Sequence, residues 1–171
     1  MRGASDESEA AAPAGGGGEP SAAELSNDYL NHFSEALMLI ELAAGDPDAA
    51  ADLARWRPID YRAYFAASQL RRAPAARAAY DALGAERRAA FEALVAAMDR
   101  LATTAIRALR PPCGPEEAAT VAEVTGPALR RLIARASAFL NSGGVELPEE
   151  ADVEAAQAAI DRLLERVPAE A

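Results

Sequence analysis

Residues 85–109 read AERRAAFEALVAAMDRLATTAIRAL, and this stretch decides the fold class. Its apolar side chains recur every three or four residues, which is the period of one face of an α-helix. Alanine, the residue with the highest helix propensity, fills many of the other positions. The stretch therefore predicts one long amphipathic helix, and its buried side would consist of Phe91, Leu94, Val95, Met98, Leu101, Ala102, Ala105 and Leu109.

The same helical period extends over most of the chain, and strand-like alternation is absent from the sequence. Proline and glycine divide it into further predicted helices, at about 26–44, 46–55, 58–69, 74–83, 116–140 and 148–167. The pair Gly126-Pro127 is expected to kink or split the helix over 116–140. We predict an all-α, single-domain bundle of about six helices.

The first predicted helix, about 26–44, is expected to be central in the bundle. Apolar residues cover one of its faces, and from 36 to 42 the helix is apolar nearly all round, which is typical of a helix covered on several sides. The residues of that face are Tyr29, Leu30, Phe33, Leu37 and Ile40.

Residues 1–24 differ in composition from the rest. They contain the run Gly15–Gly18, two prolines and five acidic residues against one arginine. Such a segment cannot bury enough apolar surface to offset the entropy of ordering it. We therefore predict a disordered acidic tail over 1–24 and an all-helical domain over 25–171.

Charge and composition exclude several classes of protein. The net charge is −10, which argues against nucleic acid as the main partner, because phosphate contacts require a basic surface. The longest strongly apolar run, residues 36–40, is far too short to span a bilayer. The start of the chain has no apolar segment of a secretory signal, and the single cysteine excludes an internal disulfide. We expect a cytoplasmic protein.

Catalytic chemistry is sparse in this sequence. It contains one histidine, one cysteine and no lysine, and all 17 basic residues are arginine. Phosphate-binding loops, nucleophile elbows and zinc-ligand spacings are absent, and Cys113 in its proline-flanked loop is expected to be a plain thiol. We predict no catalytic residue and no cofactor, and we lean towards a non-enzymatic protein.

One cluster could still bind a metal ion or a small ligand. Asp28, His32 and Glu35 are spaced by four and three residues, so both carboxylates could reach the imidazole on one side of a helix. Two carboxylates and an imidazole can bind a transition metal. The alternative interpretation is a solvated, ion-paired first turn of the helix.

Two further groups are candidate interaction surfaces, because Trp, Tyr and Arg are enriched at binding hot spots. One is the aromatic segment with Trp56, Tyr61, Tyr64 and Phe65, for which the alternative is a small core beneath arginine side chains. The other is a basic group, Arg130, Arg131 and Arg135, for which the alternative is a solvated, ion-paired helix face.

Three functions fit these observations. The leading hypothesis is a small non-enzymatic adaptor or regulator that binds another protein, of unknown identity. The second is a metal- or small-ligand-binding bundle that uses Asp28, His32 and Glu35. The third follows from the alanine-rich helical character, which resembles that of phasins and implies a coating of hydrophobic granules.

The last predicted helix, 148–167, presents a narrow apolar seam with the a/d spacing of a coiled coil. It consists of Val153, Ala156, Ile160, Leu163 and Val167. A seam of about three turns is too short for an independent coiled coil. We expect the helix to pack on its own domain, with a homodimer as the alternative.

Overall fold

A computed structural model describes residues 24–166 of the chain. Over this range the structure consists of one 3₁₀ turn, Asn27–Leu30, and seven α-helices, with no β-strand. This confirms the all-α bundle. The predicted acidic tail, except for Glu24, lies outside the described residues. The helices are α1 (Asn31–Leu42), α2 (Pro47–Leu53), α3 (Tyr61–Ala67), α4 (Ala73–Asp81), α5 (Ala85–Ala108), α6 (Pro115–Asn141) and α7 (Glu150–Leu164).

Polar side chains cap the elements at the N-terminal end of the bundle. The Ser26 hydroxyl accepts a hydrogen bond from the backbone N–H of Asp28, at the start of the 3₁₀ turn. Asp46 caps α2 by accepting from two backbone N–H groups, and Pro47 follows at the first helical position. Asp60 caps α3 through the N–H of Ala63, at 2.8 Å. These caps satisfy donors that have no partner within their own helix.

The centre of the bundle is the contact of α5 with α6 and α7, and α1 packs on both α5 and α6. Phe91 of α5 stacks on Phe139 of α6, with ring centroids 5.0 Å apart. Around Phe91 the aromatic rings of α1, α3 and α4 converge into one cluster, in which the Tyr61 ring lies 5.3 Å from that of Tyr29. The few aromatic residues of this chain therefore connect the helices into one core.

The first helix is packed on several sides but is not fully enclosed. It contacts α2, α5 and α6, and its buried residues are Phe33, Ala36, Leu39 and Ile40. Leu37, which we placed on the buried face, is only partly buried. Met38 and Leu42 are 51% and 48% exposed. The apolar pattern over 36–42 therefore overstated the burial of this helix, because none of the seven described helices covers the side that carries Met38 and Leu42.

Helix α6 runs without a break through Gly126-Pro127, so the predicted split does not occur. Gly126 is buried beside α1, and a Cβ atom there would lie 3.1 Å from a carboxylate oxygen of Glu41. Arg130, one turn further along α6, forms an ion pair with that same Glu41. A side chain at position 126 would therefore crowd the ion pair that joins α1 to α6.

The last helix packs on its own chain, as we expected. α7 contacts α5 and α6, and it buries Ala156, Ile160 and Leu163 of the predicted seam. Val153 is partly buried, and Val167 lies outside the described residues. The buried carboxylate of Asp152 forms an ion pair with the guanidinium of Arg135 of α6, in which Nε lies 2.9 Å from Oδ2. A homodimer through other surfaces stays a prediction.

Across residues 24–166, the helices are all too short or too polar to cross a membrane.

Candidate functional site

His32 participates in the packing of α1 against the segment that follows α2. Its Nε2 atom lies 2.9 Å from the carbonyl oxygen of Arg57 and donates a hydrogen bond to it. The imidazole stacks on the Trp56 indole, with centroids 4.5 Å apart, and the indole N–H donates to the backbone carbonyl of His32 at 3.0 Å. Partial burial lowers the pKa of His32 below its ordinary value, so the ring is neutral at pH 7.

Asp28 and Glu35 do not complete a metal site around this histidine. The Asp28 carboxylate accepts a hydrogen bond from the Ser26 hydroxyl at 2.8 Å and lies 3.9 Å from the guanidinium of Arg72. Within residues 24–166, no three His, Cys, Asp or Glu side chains are placed to hold a metal ion together. His32 and Glu35 both lie on α1, as the helical spacing predicted. Asp28 lies in the 3₁₀ turn before α1 and interacts with other partners.

Most of the aromatic segment lies in the core of the bundle. Trp56, Tyr61 and Phe65 are buried, and Tyr64 is partly buried. The phenol of Tyr64 donates to the backbone carbonyl of Asp28 at 2.8 Å. That of Tyr61 accepts from the backbone N–H of Ser26, also at 2.8 Å. These bonds fasten α3 to the 3₁₀ turn and to Ser26 before it. The burial of these rings favours the alternative of a core, and an interaction surface at this segment stays a prediction.

The three arginines of α6 have different surroundings. Arg130 is paired with Glu41 of α1, and Arg135 is paired with Asp152 and Glu149 at the start of α7. Arg131 forms no ion pair with any residue between 24 and 166, and it lines a shallow groove between α6 and α7. Two of the three guanidinium groups thus already have carboxylate partners within this chain.

An apolar cleft of about 560 Å³ lies where the hairpin of α1 and α2 meets the end of α5. We call it the hairpin cleft. Six of its lining residues are alanines, whose small side chains leave the space unfilled. The lining is Ala43, Ala44, Gly45, Asp46, Pro47, Ala50, Ala51, Leu53, Ala54, Ile106, Leu109, Arg110, Pro111, Cys113 and Ala118.

The polar groups of the hairpin cleft are few. They include Asp46, Arg110 and the thiol of Cys113. Arg110 is exposed and makes no ion pair within the described part of the chain. Burial, and secondly the carboxylate of Glu117, raise the pKa of the Cys113 thiol, so this group stays protonated at pH 7. The cleft can therefore accept an apolar group, with one guanidinium and one carboxylate to orient it.

The sequence alone did not predict this cleft. The signal available was the cluster of alanines on both sides of Gly45-Asp46-Pro47. Alanine at those positions is equally compatible with close helix packing, and only the paths of the helices show that a space remains.

The chain has no match among protein-family models, curated protein sequences or solved structures.

Proposed function

We propose that this protein is a small non-enzymatic adaptor or regulator of the cytoplasm that binds a partner protein through the hairpin cleft. The observation that carries the proposal is the cleft itself. Its volume of about 560 Å³ lies within the range of about 300–1,000 Å³ that suits a buried ligand or inserted side chain. Its largely apolar lining favours an aliphatic or aromatic group of the partner.

Exposed apolar side chains on α1 and charged groups at the cleft support a protein as the occupant. Met38 and Leu42 lie one turn apart on α1 and are about half exposed, so they present apolar surface close to the hairpin. Asp46 and Arg110 supply one charge of each sign at the cleft. Apolar surface bordered by charged groups is typical of interaction sites.

The environments of the two most reactive side chains favour a binding function. The neutral His32 ring donates to Arg57 and stacks on Trp56, which are roles in packing. The Cys113 thiol has a raised pKa, whereas nucleophilic cysteines require a lowered one.

Photocrosslinking tests the proposal. A benzophenone amino acid would replace Ala54, an exposed residue that lines the cleft, and in a control it would replace Ala63, an exposed residue of α3 outside the cleft. We expect one recurring protein adduct from native lysate at position 54 and none at position 63.

A second substitution makes this experiment specific for the cleft. Ala51→Leu places a larger side chain in the lining and so fills part of the cleft. Its matched control is Ala66→Leu, at an exposed residue of α3 outside the cleft. The adduct at position 54 should disappear with Ala51→Leu and persist with Ala66→Leu. Equal adducts from both crosslinking positions, or an adduct insensitive to Ala51→Leu, would contradict the proposal.

A small apolar ligand is a second candidate for the same cleft, since its volume suits either occupant. A purified protein that releases a stoichiometric apolar compound on denaturation would favour this alternative. The granule coating implied by the resemblance to phasins stays a prediction, and flotation with lipid droplets tests it.

A further inference from the structure

A second cleft lies on a different part of the fold. It has a volume of about 390 Å³ and forms where the start of α3, the end of α4 and the middle of α5 meet. Its last residue on α5, Asp99, precedes the first α5 residue of the hairpin cleft, Ile106, by seven positions, which is roughly 10 Å along a helix. The wall combines three aromatic rings with three acidic side chains, namely Tyr61, Tyr80, Phe91, Asp60, Glu92 and Asp99.

Asp99 is the least satisfied polar group of this cleft. Its Oδ1 atom is buried and has no hydrogen-bond partner among residues 24–166. Thr103, one turn later, donates to the backbone carbonyl of Asp99 and not to its carboxylate. Burial raises the pKa of Asp99 to about 6, so the carboxylate remains mostly ionised at pH 7. A buried anionic oxygen without a donor is costly. Asp99 as a whole is only partly buried, so a ligand N–H group that donates to the accessible part of this carboxylate would offset some of that cost.

The other two carboxylates also keep acceptor capacity. Glu92 uses one oxygen to accept from the Tyr80 hydroxyl, at 2.9 Å. Asp60 uses one oxygen to cap α3. An ionised carboxylate offers about four acceptor positions, so each of these groups can accept further hydrogen bonds. Together with Asp99 they give the cleft a negative wall.

The one basic side chain of the lining does not neutralise that wall. The Arg62 guanidinium is paired at 2.6 Å with Asp81, which is not part of the lining. The same guanidinium lies 5.6 Å from the centre of the Tyr80 ring. The Tyr80 ring is thus already in contact with a cation of the chain itself and stacks on the Tyr61 ring, so the carboxylates are the groups of this cleft that remain for a second cation.

Organic cations and metal ions require different arrangements of the side chains that bind them. Three ligands placed for a metal ion are not found among the described residues. An ammonium group has no fixed coordination geometry, and the hydrocarbon part of an alkylammonium compound suits the accessible apolar residues of the lining, Val95 and Ala96. We propose that this cleft binds a small alkylammonium compound, whose N–H groups donate to the carboxylates of Asp99 and Glu92 and whose hydrocarbon chain packs on Val95 and Ala96. This site is independent of the proposed partner binding at the hairpin cleft.

Calorimetric titration of the full chain tests the proposal with three probes: n-butylamine, 1,4-diaminobutane and the neutral analogue n-butanol. We expect saturable binding of the two amines at about pH 7 and none of n-butanol. Asp99→Asn keeps the side-chain shape and removes the charge, so it should weaken amine binding by about tenfold or more. The control is Asp161→Asn, at an exposed residue of α7. It removes the same charge outside the cleft and should leave amine binding unchanged.

A second pair of variants tests the same cleft without changing Asp99. Ala96 is exposed and lines the cleft, whereas Ala93, one turn earlier on α5, is exposed and does not. Ala96→Leu should abolish amine binding, and Ala93→Leu should preserve it. The proposal is overturned if the amines fail to bind at millimolar concentration, if n-butanol binds equally well, or if both members of either pair behave alike.

Discussion

The imidazole of His32 and the indole of Trp56 are stacked with ring planes inclined by only 18°. The two residues are far apart in the sequence, and hydrogen bonds run in both directions between their segments. His32 donates to the carbonyl of Arg57, and Trp56 donates to the carbonyl of His32. This reciprocal arrangement anchors the chain after α2 to α1 and thereby orients the start of α3.

His32→Ala should lower the free energy of unfolding by about 1–2 kcal/mol, because it removes the ring stack and one hydrogen bond. Denaturant titration measures the loss. Trp56 is the only tryptophan, so its fluorescence reports the same contact. Ser34→Ala, on the exposed side of α1, is the control and should change neither quantity. Unchanged stability and fluorescence in His32→Ala would contradict this structural role.

Ile40→Ala should cost about 2–5 kcal/mol, the usual loss on emptying a fully buried aliphatic site. Ile40 is 0% exposed. Leu37→Ala should cost less, because Leu37 is only partly buried, and Met38→Ala should stay within about 0.5 kcal/mol. Chemical denaturation of the three variants gives the order directly. An order with Leu37 first would mean that α1 presents a different face to the core.

Asp99→Asn should stabilise the protein at pH 7 by about 1 kcal/mol, a value reduced for solvent screening of a partly exposed group. The folded-state pKa of about 6 exceeds the ordinary value of 3.8. The folded state therefore holds the proton more tightly, and the cost of the charge is present above pH 6 and disappears towards pH 4.

Thermal melts of both proteins from pH 4 to pH 8 measure this difference. The advantage of Asp99→Asn should shrink as the pH falls through 6. His32 has a lowered pKa, so its own contribution to stability falls as the pH drops below 6.5. Because His32 is present in both proteins, its contribution cancels in the difference between their stabilities. A constant difference across the range would show that Asp99 is not desolvated.

Gly144→Ala should destabilise more than Gly143→Ala, although both glycines have positive φ angles, of 81° and 66°. A Cβ atom at Gly144 would lie 2.8 Å from the Leu83 side chain and 3.2 Å from the Phe139 ring. At Gly143 the added atom meets nothing within 4 Å. We expect a loss of roughly 1 kcal/mol at Gly143 from backbone strain alone, and a further 1–3 kcal/mol at Gly144 from overpacking. Equal losses of stability in the two variants would show that the Leu83 side chain moves aside without an energetic cost.

Ile160→Asp should unfold the domain or destabilise it by several kcal/mol, because it places a charge in the contact of α7 with α5 and α6. Leu164→Asp, at a position that is 45% exposed, is the matched control and should be tolerated. Circular dichroism and light scattering distinguish the possible outcomes. A wild-type dimer that Ile160→Asp converts into a folded monomer would contradict packing of α7 on its own chain.

Local rules account for the part of the fold that the sequence determined by itself. The pair Asp46-Pro47 marked the start of α2, and the apolar period from Phe91 onwards marked α5, whose bounds differ from the prediction by one residue. Capping and helical periodicity depend on residues within a few positions of one another. They can therefore be interpreted without knowledge of the neighbouring helices.

Tertiary structure decided which sides of these helices are covered and which spaces remain. Trp56 and Tyr61 are as suitable for a binding surface as for a core. Trp56 is buried because the segment after α2 packs on α1, and Tyr61 is buried because α3 packs on α4 and the 3₁₀ turn. The orphaned oxygen of Asp99 and the alanine-lined hairpin cleft exist because elements distant in sequence meet without filling the space between them. Burial is a property of the whole packing arrangement, so composition and spacing do not specify it.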